Sequence, residues 1–220
     1  MREKKNIYIA PSESAIPVVI RFAAYTLAIF IITASLTPLA EYKDIYFIFT
    51  EHGPVEWLQL GLLVAASVLF FSGFFSLPAF RELFLILASV SSFAAMRELD
   101  SVLDKAIPWI GWKVAFALLL FAAALAWKKK DKVKRQLGHY LSSPAFVVLW
   151  AGFIVAVPIA QLLGHAAFLE SLMGENYMRA YKRVIEESGE LLGYLLLLEG
   201  SIESLVLIKK LQIRKLPAEE

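Results

Sequence analysis

Apolar residues in this chain gather into long runs separated by short polar stretches. Six runs stand out, near Pro17–Pro38, Val55–Leu77, Phe80–Met96, Lys113–Trp127, Pro144–Leu163 and Glu190–Ile208. About 20 largely apolar residues in a helix cross the hydrocarbon core of a bilayer. The third and fourth runs are short by strict hydropathy, so their helices are expected to take in flanking polar residues. Pro17, Pro54 and Pro144 stand near predicted helix starts, where a missing N–H is harmless. Pro158 lies inside the fifth run and predicts a kink. The pattern predicts an all-α, polytopic integral membrane protein, a bundle of six transmembrane helices forming a single domain over residues 1–220.

Composition sharpens this reading. Apolar residues make up 59% of the 220, against about 45–50% in an ordinary globular protein. Charged residues reach only 19% and mean hydropathy is +0.63. A soluble domain of this size needs more polar surface to cover its core, so a large soluble catalytic domain, a disordered chain and a collagen-like repeat are all excluded. Cysteine is absent, which removes disulfides, thiolate zinc sites, iron–sulfur clusters and a cysteine nucleophile. The leading region MREKKNIYIAPSESAIP is too long for a secretory n-region, Arg21 interrupts the apolar run behind it, and no small-x-small cleavage site follows. The first run is therefore expected to be a retained span, preceded by a polar lead-in.

Orientation follows from Lys and Arg, which concentrate on the cytoplasmic side. The segment KKKDKVKRQ, after the fourth run, carries Lys128, Lys129, Lys130, Lys132, Lys134 and Arg135. Alternation puts both termini and Arg81 on the same side. Fourteen of the 22 Lys and Arg then lie inside and seven outside, with Arg21 in a span. The expected topology is N-in, C-in. Beside a bilayer the basic run reads as this orientation signal plus contact with anionic lipid, so no nucleic-acid partner is expected.

The acids distribute the other way, and several sit at helix mouths. Three segments converge on the outer boundary. EHGPVEW opens the second span with His52 and Glu56, and Gln59, Leu63 and Ser67 continue inward at helical spacing. MRELDSVLDK leaves the third span with Arg97, Asp100 and Asp104 on one face of what is expected to be a continuing helix, and Glu98 beside Arg97. VIEESGELLGYLLLLEGSIES runs into the sixth with Glu186 and Glu190 one turn apart. Gly189 and Gly193 let a neighbouring helix come close.

Glu199 and Glu203 fall within the sixth span, where an ionised carboxylate needs a partner. By depth the expected partner of Glu203 is Arg21, in a structural ion pair. Glu199 is then left as a candidate for a ligand or proton. Only three histidines exist: His52 and His165 outside and His139 inside, which excludes a three-histidine zinc site. A divalent metal held by His52, His165 and outer acids stays open. No HExxH, GxSxG, Walker or dinucleotide motif is present.

At FTEHGPVEW, MRELDSVLDK and EESGELLGYLLLLEGSIE the chain resembles a family of small multi-pass bacterial inner-membrane proteins, most recognisably in its RELD and EExxELxGY segments. The resemblance implies a bacterial inner membrane and brings no activity, substrate or cofactor with it. The expected function is binding or transport of a cation or metal ion at a periplasm-facing site built from Glu56, Arg97, Glu98, Asp100, Asp104, Glu186 and Glu190, with Glu199 deeper. Two alternatives stand beside it. One is a metal-assisted hydrolase or transferase acting on a lipid or lipid-linked substrate. The other is a structural or assembly subunit that docks another membrane protein or a second copy of itself.

Overall fold

A computed structural model describes residues 15–42, 45–50 and 52–213, side chains excepted at 15, 40–42, 46 and 208–213. The polar lead-in at 6–14 and the side chains of Glu41, Asp44, Glu51 and the terminal basic group at 209–215 lie outside the described residues. The fold is all-α, with no strand among the described residues. It divides into two units at Glu41/Tyr42.

The first unit holds the helix α1 (Ala15–Tyr42) up to Glu41. Its Thr26, Thr33 and Ser35 donate their hydroxyls to the backbone carbonyls of Phe22, Ile29 and Ile32, which satisfies these three hydroxyls within the helix. Arg21 lies on this helix, 3.5 Å from the Pro17 carbonyl oxygen. Its expected partner, Glu203, is buried in the second unit.

The second unit begins with the single turn α2 (Ile45–Ile48) and continues through α3 (Pro54–Ser76), α4 (Arg81–Arg97), α5 (Asp100–Ala106), α6 (Phe116–Lys128) and α7 (Lys130–Leu141). Then come α8 (Pro144–Ile154), a π-helical turn over Val155–Ile159, α9 (Ala160–Leu163), α10 (Ala166–Met173) and α11 (Arg179–Ile213). The π-turn falls at Pro158, where the sequence predicts a kink. Helix α11 packs on α8 along one side and on α3 along another, α3 packs on α4, and α4 on α6.

Five helices are long and apolar enough to cross a membrane: Ile16–Leu39, Pro54–Ser76, Pro78–Arg97, Gly111–Lys128 and Pro144–Leu163. Each matches an expected span. The sixth, Glu190–Ile208, lies within α11 and is not among those five. Burial in α3 runs opposite to that of a soluble helix. Trp57, Val64, Val68, Phe71 and Phe75 form an exposed stripe, while Gln59 and Ser67 are buried beside Leu63 and Phe70. Apolar outside and polar inside is the arrangement of a helical membrane protein, in which lipid solvates the apolar face and the interior must satisfy the polar groups.

The seam between α8 and α11 explains the glycines of α11. A Cβ at Gly200 would stand 2.8 Å from the Leu149 backbone, and one at Gly193 would strike Ala156. From the other side, a Cβ at Gly152 would lie 2.8 Å from the Gly193 carbonyl. The small-residue face of α11 is thus filled by the chain's own α8 and the π-turn.

Candidate functional site

Where α3 begins and α4 ends, the upper half of α11 closes a cavity of about 480 Å3. Glu56 of α3, Arg97 of α4, Glu98 in the link and Asp100 at the start of α5 line one side. Trp112, in a 3-10 turn over Gly111–Ala115, and Gln161 of α9 contribute further walls. Helix α11 supplies Arg179, Lys182, Arg183, Glu186, Glu187 and Glu190, which share one face at spacings of three and four residues.

The floor is a network around Arg97. Its Nη2 donates to Glu98 Oε1 at 3.0 Å and lies 3.5 Å from Glu190 Oε1. The Tyr194 hydroxyl donates to Glu98 Oε1 at 2.7 Å, and Gln161 Nε2 reaches Glu186 Oε1 at 2.9 Å and Glu190 Oε1 at 3.2 Å. The Glu98 and Glu190 side chains are nearly inaccessible to solvent. One guanidinium bridging two such acids offsets much of their desolvation. Higher up, Lys182 pairs with Glu186 at 2.9 Å, and Arg183 Nη1 donates to Thr50 Oγ1 at 3.3 Å.

Glu187 sits between these layers. Gln59 Nε2 donates to both its carbonyl (3.0 Å) and its Oε2 (3.1 Å). Burial pushes the Glu187 carboxyl up to about 6, with neighbouring carboxylates adding to the rise and the Gln59 hydrogen bond opposing it. Gln59 is fully buried and its own Oε1 lacks a hydrogen-bond partner among the described residues. In all, six carboxylates and four fixed cations line the space. With every group ionised the lining carries two net negative charges.

The structure brings six of the expected site residues together: Glu56, Arg97, Glu98, Asp100, Glu186 and Glu190. Asp104 does not join them. The expected continuous helix after Arg97 breaks at Leu99 before restarting as α5. Asp104 Oδ1 then accepts the Trp112 backbone N–H at 3.1 Å, holding the turn at Gly111, whose φ is +58°. Glu199 is buried farther along α11 and does not line the cavity.

The metal ligands expected from the sequence are also placed elsewhere. His52 stands in the turn before α3 with φ 64°; its backbone N–H is capped by Glu56, and its Nε2 lies 3.2 Å from Ser101 Oγ. His165 is exposed at the start of α10. Neither lines the cavity, and among the described residues no three His, Asp or Glu gather as a metal site.

Sequence reasoning missed Arg179, Lys182, Arg183 and Glu187 as site residues. The first three read as ordinary cations of an outer loop. The signal that finds them is the helical period of span six carried upstream of its apolar part, where positions 179, 182, 183, 186, 187 and 190 fall on one face. Comparison with protein-family models, with curated proteins and with solved structures finds no match to this chain.

Proposed function

We propose that this chain is a six-span bacterial inner-membrane protein, N-in and C-in, whose outward cavity binds a small organic cation or zwitterion for transport. The membrane placement is supported by the five apolar helices and the exposed apolar stripe of α3, and the orientation by the Lys and Arg bias.

The observation that carries the ligand class is the cavity of about 480 Å3, with buried acids below and Arg179, Lys182 and Arg183 above. That volume falls within the usual range for small-molecule sites of about 300–1,000 Å3 and is far larger than a bare ion needs. The excess of carboxylates favours a ligand carrying an ammonium or similar group. The cations on α11 give an attached carboxylate or phosphate its place. A divalent metal is less well served, because its usual set of three or more converging ligands is not found among the described residues. Polar groups continue below the cavity, in the Ser67–Ser91 hydrogen bond of 3.0 Å and in buried Glu199 and Ser201, which suits passage as well as binding.

The test is a thermal-unfolding screen of the purified chain against amino acids and quaternary amines at millimolar concentration. At least one is expected to raise the Tm of the parent and not of Glu187→Gln, since a ligand that binds only the folded state stabilises it by mass action. A panel without effect on the parent, or an equal rise in the variant, contradicts the reading.

A further inference from the structure

A second cavity lies at the far end of α3. That helix has 23 residues, so its ends stand about 35 Å apart. The cavity measures about 340 Å3 and is bounded by the Pro78–Phe80 turn, Glu82, and Lys132, Arg135, Gln136 and His139 of α7.

Gln136 builds it. The residue is buried, and its Oε1 accepts the Leu83 backbone N–H at 2.9 Å. Its Nε2 donates to the Ala79 carbonyl at 3.0 Å and to Glu82 Oε2 at 2.8 Å. A neutral amide thus pins α7 across the start of α4. The same contact turns toward the cavity the helix face that holds positions 132, 135, 136 and 139. Lys132 pairs with Glu82 at 3.3 Å while its side chain stays 56% exposed. Against that one carboxylate the wall sets Lys132, Arg135 and the His139 ring.

We infer that this cavity is a binding site for a phosphate-ester anion, presented by the headgroup of an anionic lipid. The wall is net positive and offers the forked donors of Arg135, which suit phosphate oxygens. Its volume accommodates more than a bare phosphate. Apolar surface stands close by: Phe75, three residues before Pro78, is 71% exposed, and α7 itself carries exposed Leu137 and Leu141. A helix with both cations and exposed leucines belongs where headgroups meet acyl chains. The other cations of the basic run, at 128–130 and 134, do not line the cavity. The inference therefore separates one built site from general attraction between a basic segment and an anionic surface. It stands apart from the outward cavity and does not rest on the ligand proposed there.

The experiment is native mass spectrometry of the detergent-purified chain with equimolar phosphatidylglycerol and phosphatidylcholine. One phosphatidylglycerol is expected to be retained. Arg135→Gln and the double variant Lys132→Gln/Arg135→Gln should each reduce that adduct roughly fivefold or more. Lys128→Gln/Lys130→Gln, which removes the same charge outside the cavity, should leave it within about twofold. Inorganic phosphate and glycerol phosphate serve as competitors and should displace the lipid only weakly.

Equal losses in both double variants would reduce the effect to diffuse charge and overturn the site. Absence of a selective adduct in the parent would overturn it as well. Complete displacement by free phosphate at comparable concentration would overturn the lipid assignment. Thermal unfolding of Arg135→Gln, expected to match the parent, separates loss of the site from loss of the fold.

Discussion

The two ends of α3 hold their surroundings together by different means. At the Glu56 end, three segments far apart in sequence meet through charges, with Arg97 bridging Glu98 and Glu190 and Lys182 beside Glu186. At the Ser76 end a single neutral amide, Gln136, satisfies a backbone N–H, a carbonyl and a carboxylate. A charged network leaves strong fields in an open space and is expensive to break, because each loss strands an opposite charge. An amide clamp fixes geometry with little field of its own; beside it Lys132 pairs with Glu82 and Arg135 lines the same cavity. The first arrangement accords with the solute binding proposed for that end, and the second with the lipid contact proposed for the other.

The largest effect is expected from substitutions that strike the seam under the first end. Gly193→Val drives a branched side chain into Ala156 and should lower stability by about 3 kcal/mol, seen as a fall in Tm in detergent. A parent-like Tm would show that the α8–α11 approach is looser than described. Arg97→Ala strands Glu98 and Glu190 and should remove about 2–3 kcal/mol. Adding Glu190→Gln should return part of that loss, a coupling that a double-mutant cycle reads directly. Additive losses would mean that Arg97 and Glu190 do not act as a unit.

At the opposite end Gln136→Leu should remove about 1–2 kcal/mol, the penalty of one stranded backbone N–H with its neighbours. A loss as large as that of Arg97→Ala would erase the distinction between the two ends.

A pH dependence is also expected at the first end. The Glu187 carboxyl, ordinarily near 4.5, is raised to about 6 in the folded protein. Its contribution to stability is therefore fully present below about pH 4.5 and lost as pH rises through about 6, to the extent of about 2 kcal/mol. Glu187→Gln should flatten that part of the profile of unfolding free energy against pH. An unchanged profile in the variant would assign the dependence to another group.

Most of this fold is legible in the sequence because hydrocarbon imposes one demand, long apolar helices, and five of the six expected runs satisfy it within the structure. The site at the Glu56 end is partly legible for a related reason: acids and Arg97 at helix mouths are anomalous against apolar neighbours. Arg179, Lys182 and Arg183 are not anomalous where they stand, since an outer loop tolerates cations, and only the continuation of α11 past the apolar run gathers them. Asp104 lies off the site because the helical spacing does not continue through Leu99, where the helix breaks, and its carboxylate instead accepts the Trp112 N–H at the Gly111 turn. Gln136 left no signal at all. A neutral residue in a basic run shows its role only when α7 is laid across the start of α4.

The central claim, that the outward cavity holds a small ammonium-bearing solute on its carboxylates, is tested most directly at Trp112, which lines it. In a variant retaining Trp112 as its single tryptophan, fluorescence is titrated with the amino acid or quaternary amine that most stabilises the parent. A saturable change is predicted, lost when Glu187→Gln and Glu190→Gln are combined. A signal that does not saturate, or one that survives removal of both carboxylates, would contradict it.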